Sequence, residues 1–228
     1  LTYKFIQSAQ YSVRLITRSN YNCYDTILKN IYVLPSPKSI ILLSKQETCV
    51  NNSDSIVFND KSTIDSNIIN RKWQIDAGIF NTQKTFKHLY TNANTYPISL
   101  SVTTQLGCSD TSTSQVFVYP KPKAAISYFN NKKCLSQNLF YLSDSSSISN
   151  SHTLRTFWNF GDGDSSIQKN IYHSYNNSDS FIVRLISLSS KNCSDTLYKQ
   201  IVVHPMPKAI FTINDTGQCL NLNQLQPN

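Results

Sequence analysis

The sequence predicts an all-β protein built from tandem sandwich modules of 85 residues. Three observations support this prediction. The same residues return at an interval of 85 along the chain, apolar and polar residues alternate with a period of two, and a Pro-x-Pro tripeptide separates the copies. A repeat defines the structural unit before any single residue is interpreted. A period of two is typical of a strand that buries one face.

Two series of cysteines and several aromatic residues carry the repeat. The cysteines of one series each open a Cys-x-Asp-Thr tetrapeptide, and a pair of prolines follows twelve residues later. The repeated residues are Cys23, Cys108 and Cys193; Cys49, Cys134 and Cys219; Trp73 and Trp158; His88 and His173. This register predicts two complete copies, at 37–121 (module 1) and 122–206 (module 2). It also predicts the C-terminal part of a copy at 1–36 and the N-terminal part of another at 207–228, so the chain is expected to belong to a longer array.

The strands of one module are predicted in chain order. A first strand follows each Pro-x-Pro, a second precedes the Trp, and a third is centred on the Trp. The segments are Ile126 to Tyr128 and Phe211 to Ile213 for the first, 56–58 and 139–142 for the second, and the residues around Trp73 and Trp158 for the third. Many short strands with a Trp in the middle of the module are typical of an immunoglobulin-like sandwich.

The last two strands of each module have the clearest pattern. Tyr96, Ile98, Leu100 and Val102 alternate with Pro97 and with serines, which predicts one buried face. Their equivalents are Tyr11, Val13 and Leu15 in the first copy, and Phe181, Val183 and Leu185 in module 2. The final strand runs to the paired prolines, which end the ladder because proline has no backbone donor. The tripeptide is expected to form a short, semi-rigid link.

Composition excludes several classes of protein. The net charge of +8 comes from 21 basic and 13 acidic residues, spread over a polar surface. The sequence contains no arginine cluster that would indicate a nucleic-acid partner. It also contains no apolar stretch long enough for a membrane-spanning helix. The six cysteines lack the close pairs of a zinc site, so they indicate disulfides and an extracellular or cell-surface location.

The sequence also resembles a known family. Trp158-Asn159-Phe160-Gly161-Asp162-Gly163, His173-Ser174-Tyr175 and the strand from Phe181 resemble the signature of PKD (polycystic kidney disease) domains. The Cys-Ser-Asp-Thr and Val-x-Pro-x-Pro elements resemble PKD repeats of large surface proteins that gliding bacteria export by the type IX route. The resemblance implies a β-sandwich, an extracellular location and a role in spacing, adhesion or protein contact, without catalysis.

Each candidate site has a simpler structural interpretation. Asp162 and Asp164, with Asp144, suggest calcium, but one turn supplies too few of the six to eight oxygens required. Gly161 and Gly163 instead indicate a tight turn. His88 and His173 are expected to be buried and bonded to the backbone, because no nucleophile or acidic partner recurs beside them. Trp73 and Trp158 are expected in the core, not on a sugar-stacking face. No metal ligand, cofactor or catalytic residue is assigned.

Short motifs suggest modification at three positions. Thr26, Ser55 and Thr196 lie in Asp-Thr-Ile, Asp-Ser-Ile and Asp-Thr-Leu, which resemble the O-glycosylation sequence of such exported proteins.

Two disulfide connectivities remain open. Pairing within a copy joins Cys49 to Cys108 and Cys134 to Cys193. Pairing across a junction joins Cys49 to Cys193, past Pro120–Pro122, and leaves the other four cysteines for earlier or later copies. The second is preferred, because the two cysteines of one copy are predicted at opposite ends of the sandwich, farther apart than a disulfide reaches.

Two functions of different classes follow. The first is a structural or adhesive stalk of a large surface protein or filament, whose partners are its own neighbouring repeats and, in a filament, other chains. The second is a non-catalytic module that binds protein or polysaccharide and accompanies a secreted hydrolase. The number of copies favours the stalk.

Overall fold

A computed structural model describes residues 2–50, 55–64, 68–76, 78–128, 131–149 and 153–212. The described residues form strands β1 to β18 and no helix. The chain divides into two compact units, Leu1–Lys121 and Pro122–Asn228. The predicted all-β class is therefore confirmed.

The first unit contains a hairpin and a sandwich. The hairpin is formed by β1 (Ala9–Arg18) and β2 (Tyr24–Val33), which pair antiparallel. The sandwich strands are β3 (Ile41–Leu43), β4 (Glu47–Cys49), β5 (Ile56–Asp60), β6 (Ile68–Asp76), β7 (Ile79–Asn81), β8 (Thr85–His88), β9 (Asn94–Thr104) and β10 (Ser109–Tyr119). One sheet has the order β4-β10-β9-β6-β7 and the other β3-β5-β8. Only β4 pairs parallel among the described ladders of this sandwich, along the end of β10.

The second unit repeats this architecture strand for strand. Its strands are β11 (Ile126–Tyr128), β12 (Lys132–Cys134), β13 (Phe140–Asp144), β14 (Leu154–Asn159), β15 (Ser165–Ser166), β16 (Asn170–His173), β17 (Ser180–Ser189) and β18 (Ser194–His204). The sheets have the orders β12-β18-β17-β14-β15 and β11-β13-β16. Two sandwiches with the same order of sheets confirm the predicted tandem immunoglobulin-like fold.

A Trp lies at the centre of each core. Trp73 packs edge-on against Phe58 and Phe86, whose rings stack on each other at 4.9 Å. Trp158 lies among the buried aromatic and aliphatic residues of module 2. The indole nitrogens are satisfied alike, because Trp73 and Trp158 donate to the carbonyls of Gln83 and Gln168 at 3.0 and 2.9 Å. A buried indole N–H needs such a partner.

The predicted alternation along β9 is observed, but its equivalent in the first hairpin has a different environment. Tyr96, Ile98 and Leu100 are buried. Val13 and Leu15, predicted to face a core, are 45% and 60% exposed. The reason is that β1 and β2 form a sheet of two strands with no facing sheet among the described residues 2–36.

The turn before each cysteine of the first series has one conformation. Asn22, Gly107 and Asn192 occupy the same repeat position and have φ of 63°, 84° and 60°. Glycine and asparagine are the residues that adopt this left-handed region most readily. The hairpin of the last two strands is therefore a repeated structural element.

The segment after module 2 differs from its prediction. Residues 207–212 form no strand, and Phe211 is exposed. Ile213, the other residue of the predicted strand, and Cys219 lie outside the described residues.

Candidate functional site

At the turn between β14 and β15, polar side chains that are distant in sequence lie close together. Gly161 and Gly163 have φ of 86° and 107°, which reverses the chain within a few residues. Asp162 and Asp164 project from this turn, and His173 reaches it from β16 in the other sheet. The donor atoms of these three side chains all lie within 4.8 Å of one another.

His173 is held by a carboxylate, so the prediction that it bonds to the backbone is wrong. Its Nε2 lies 2.7 Å from Oδ2 of Asp162. The ring stacks on Phe160 at 4.0 Å and meets Tyr175 edge-on at 4.7 Å. Burial alone raises the pKa of Asp162, but hydrogen bonds from His173 and from the amide of Asp164 outweigh burial and lower it.

His88 also lies near a carboxylate, although the acid occupies another sequence position. Asp76 is equivalent to Gly161, one residue before the position of Asp162. Burial lowers the pKa of His88, and the negative charge of Asp76 partly opposes this effect. An acidic neighbour therefore recurs in both modules. Because Asp76 is shifted by one residue from the position of Asp162, aligning the two modules at an interval of 85 did not reveal this acidic neighbour.

Asp144 is not part of the Asp162 cluster, which removes the third oxygen ligand proposed for calcium. Its side chain is buried and accepts a hydrogen bond from the Thr156 hydroxyl at 2.5 Å and from the Ser146 amide at 2.8 Å. The equivalent Asp60 accepts from Nε of Arg71 at 2.5 Å. Both carboxylates therefore have structural partners inside the sandwich.

Trp73 and Trp158 are 0% and 2% exposed, so neither ring offers a face to a sugar. Tyr90 and Tyr175 belong to the same cores and donate to the carbonyls of Ile75 and Phe160 at 2.9 and 3.0 Å. Burial raises the pKa of both phenols far above its usual range. These aromatic residues stabilise the fold.

The aspartate of the Cys-x-Asp-Thr motif has a role that sequence reasoning missed. Oδ2 of Asp110 accepts a hydrogen bond from the amide of Ser39 at 2.8 Å, and Oδ2 of Asp195 accepts one from the amide of Ala124 at 2.9 Å. Ser39 and Ala124 lie two residues after the Pro-x-Pro link. The hairpin therefore holds the start of its own module, and the recurrence of this Asp was the available signal.

The five cysteines that the structure describes fall into two classes. Cys49 and Cys193 are disulfide-bonded. Cys23, Cys108 and Cys134 are free thiols, and Cys23 and Cys134 are exposed. Pairing within a copy is therefore wrong, since it requires bonds to Cys108 and Cys134.

The three glycosylation candidates differ in accessibility. Thr26 in β2 and Thr196 in β18 are exposed, and Ser55, directly before β5, is partly buried. Their modification stays a prediction.

Comparison with known proteins agrees with this architecture. Residues 40–118, within module 1, match the family model of the PKD domain. No match was found among curated protein sequences. The part of the chain that the structure describes has no helix long and apolar enough to cross a membrane.

Solved structures extend the likeness to both modules. The N-terminal eight Ig domains of Down Syndrome Cell Adhesion Molecule match with 10% identity and a TM-score of 0.52, over 88% of this chain and 28% of that one. The PKD1 domain of Vibrio anguillarum Epp is 23% identical over 36% of this chain and 93% of its own, with a TM-score of 0.32. A solved chain from a structural study of the host cell surface retention of a 1.5-MDa bacterial ice-binding adhesin is 9% identical over 87% of this chain and 75% of that solved chain, with a TM-score of 0.37. These likenesses concern the fold.

Proposed function

We propose that this chain is a segment of a structural stalk in a large extracellular or cell-surface repeat protein. The stalk spaces or presents a distal domain, or contributes to a filament, and its modules have no catalytic role. The resemblance to PKD repeats supports export by the type IX route of gliding bacteria. In this proposal, the partners of each module are its neighbouring repeats.

The observation that carries the proposal is a hydrogen bond, repeated in both modules, between the residues that follow the link and the last hairpin of the same module. Asp110 and Asp195 each hold the residue that lies two positions after a Pro-x-Pro. A hydrogen bond to an ionised carboxylate is roughly twice as strong as a neutral one. The first residues of each module are thereby hydrogen-bonded to the hairpin of its last two strands. This contact stabilises the module at the end next to the preceding link, as a chain of modules under tension requires.

The positions of the disulfide-bonded cysteines support a second fastening across the link. Cys49 pairs in register with Tyr119, the last residue of β10, directly before Pro120. Cys193 lies in the hairpin that also contains Asp195, whose carboxylate holds Ala124, two residues after the link. Each cysteine thus lies, within its own module, at the end nearest the link. We infer that Cys49 and Cys193 bond to each other, as the cross-junction prediction requires.

Such a bond has a mechanical consequence. Tension on the chain would pass through the sulfurs and bypass the 143 residues between Cys49 and Cys193. At about 3.6 Å per extended residue, these residues would otherwise release roughly 500 Å of length. The stalk would then keep its length under load even if a module unfolded.

Force spectroscopy on the full chain, tethered at both ends, tests this function. We expect little extension under oxidising conditions and an additional release of roughly 500 Å after reduction. Peptide mapping without reductant should identify one peptide that contains both Cys49 and Cys193. The chain Cys23→Ser is the matched control, since it removes a free thiol and leaves the oxidised pair.

An equal extension with and without reductant contradicts the mechanical role of the bond, and a mapped Cys49–Cys108 peptide contradicts the connectivity. Modules that unfold without measurable force contradict the stalk itself.

One observation favours the second function, a non-catalytic binding module. On the outer face of the five-stranded sheet of module 2, Phe157, Ile182 and Tyr198 are 37%, 51% and 59% exposed. Arg184 pairs in register with Tyr198 on this face. The equivalent positions of module 1 hold Lys72, Pro97, Ser99 and Thr113. Aromatic and arginine side chains are enriched in binding surfaces.

Binding by this face is tested with immobilised acidic and neutral polysaccharides. If the face binds an acidic polysaccharide, Tyr198→Ala and Arg184→Ala should weaken retention by module 2. Thr113→Ala, the equivalent position in module 1, is the control. Equal retention of all three variants would exclude this face as the binding surface.

A further inference from the structure

The cluster at the β14–β15 turn joins the two sheets of module 2 through side chains that metals bind. Asp162 and Asp164 follow β14 of the five-stranded sheet, and His173 ends β16 of the three-stranded sheet. The His173–Asp162 pair is at 2.7 Å, and the third donor atom lies within 4.8 Å of both. Two carboxylate oxygens and one imidazole nitrogen thus converge from separate sheets.

The two central donors are held in place before any ligand arrives. The ring of His173 is stacked against Phe160, and its side chain is 10% exposed. Oδ1 of Asp162 accepts the Asp164 amide at 3.1 Å, which leaves Oδ2 directed at the imidazole. Asp164 is exposed, so its side chain is free to adjust. The arrangement combines two positioned donors with one adaptable donor.

The nitrogen donor decides which metal class fits. Calcium takes six to eight oxygens, which this turn does not supply. Zinc accepts His nitrogen at about 2.0–2.1 Å and carboxylate oxygen at about 2.0–2.2 Å, and an open zinc site has three protein ligands. Donor atoms on one tetrahedral zinc lie roughly 3.4 Å apart. His173 and Asp162 would need to separate by less than about 1 Å, and Asp164 would move towards them by up to about 1.4 Å.

We propose that Asp162, Asp164 and His173 form a site for a divalent transition-metal ion, with zinc as the preferred ion. The three residues leave a fourth position for water or for a donor atom of another molecule. This inference is independent of the proposed stalk. It assigns a ligand to module 2, the module whose described residues supply all three donors.

Module 1 supplies a natural control within the same chain. It has His88 with a nearby carboxylate, Asp76, but Ile79 occupies the position of Asp164. Two donors hold a metal far less well than three. The described residues therefore supply a zinc site in module 2 and none in module 1.

Isothermal titration of the full chain with zinc chloride tests the site. The thiols are first alkylated, so that Cys23, Cys108 and Cys134 cannot bind zinc themselves. We expect one zinc ion per chain and no heat from calcium chloride. Asp164→Asn and His173→Gln should each lower the zinc association constant at least about tenfold. Loss of a residue that only hydrogen-bonds to a metal ligand already lowers metal affinity by about this factor. Asp76→Asn and His88→Gln should leave it unchanged.

Two results would overturn the proposal: no zinc binding by the alkylated chain, or wild-type affinity in Asp164→Asn. His173→Gln removes a packed ring, so Asp164→Asn, at an exposed turn position, gives the decisive comparison. Its melting temperature in EDTA should equal that of the wild type, and zinc should shift the NMR resonances of the His173 imidazole only when Asp164 is present. Zinc binding that depends equally on His88 would place the ion elsewhere and contradict the assignment.

Discussion

Modules 1 and 2 each bury a carboxylate at an equivalent position, but the hydrogen-bond donor to that carboxylate differs. In module 1, Asp60 accepts from the guanidinium of Arg71 at 2.5 Å, and its side chain is 1% exposed. In module 2, Asp144 accepts from the hydroxyl of Thr156 at the same distance. The repeated fold thus requires a donor at this position and not a particular residue. What differs is the consequence of losing the donor, since one is charged and the other neutral.

The largest expected effect is therefore from Arg71→Ala in module 1. It leaves the Asp60 carboxylate buried without its counter-charge, which costs about 3–5 kcal/mol. Thr156→Ala in module 2 should cost about 1–3 kcal/mol, the penalty for an unsatisfied buried acceptor. Urea unfolding followed by Trp fluorescence measures both, in chains where the Trp of the other module is replaced by Phe so that one module reports.

Arg71→Thr sharpens this comparison, because it places the residue of module 2 into module 1. It should destabilise less than Arg71→Ala, since the hydroxyl can donate to Asp60. Equal losses for Arg71→Ala and Thr156→Ala would show that the charge of the donor does not matter.

The second effect separates two glycines of the same turn in module 2. A Cβ on Gly161 would lie 2.9 Å from the carbonyl oxygen of Ile182, in a backbone with φ of +86°. A Cβ on Gly163 would meet nothing within 4 Å, although φ is +107°. We expect Gly161→Ala to cost about 2–4 kcal/mol from strain and overpacking together, and Gly163→Ala about 1–2 kcal/mol.

The same fluorescence assay, with Trp158 as the reporter, measures both glycine variants. A larger loss for Gly163→Ala would mean that the close approach to Ile182 is relieved by a backbone shift.

The third effect compares the aspartates of the repeated Cys-x-Asp-Thr motif. Asp110→Ala and Asp195→Ala should each cost about 1.5–3 kcal/mol, because each carboxylate accepts from a backbone amide of the first segment of its module. In the first hairpin, Asp25 bonds only to the amide of its neighbour Thr26 among the described contacts, so Asp25→Ala should cost less than about 0.5 kcal/mol. Thermal unfolding of the three variants ranks them, and equal losses would deny the fastening role.

The smallest effect is a dependence on acid pH that arises in module 1. Burial alone raises the pKa of Asp60, but hydrogen bonds from Ser62 and the interaction with Arg71 lower it below its ordinary value of 3.8. The stabilisation from this group is therefore complete above pH 3.8 and is lost as the pH falls through the lowered pKa. Asp60→Asn should reduce the slope of unfolding free energy against pH in that range. An unchanged slope would assign the acid sensitivity to other carboxylates.

Much of the fold could be predicted from the sequence, because the determining forces are local or repeated. The period of two along β9 places Tyr96, Ile98 and Leu100 on one face whatever lies opposite. The interval of 85 residues transfers each strand assignment from one module to the next. Asn22, Gly107 and Asn192 mark the same turn, since few residues adopt a positive φ.

Which side chains meet depends on how the two sheets pack. The Asp162–His173 pair joins two sheets, and Asp110 accepts a hydrogen bond from Ser39, which lies 71 residues earlier in the chain. Neither partner follows from sequence spacing. Val13 and Leu15 have the pattern of buried residues, yet they are exposed because burial depends on a facing sheet. Backbone sterics and the hydrophobic effect make the strands and their period readable from the local sequence. The partners of carboxylates, imidazoles and thiols depend on distances between strands that only the packed sandwich defines.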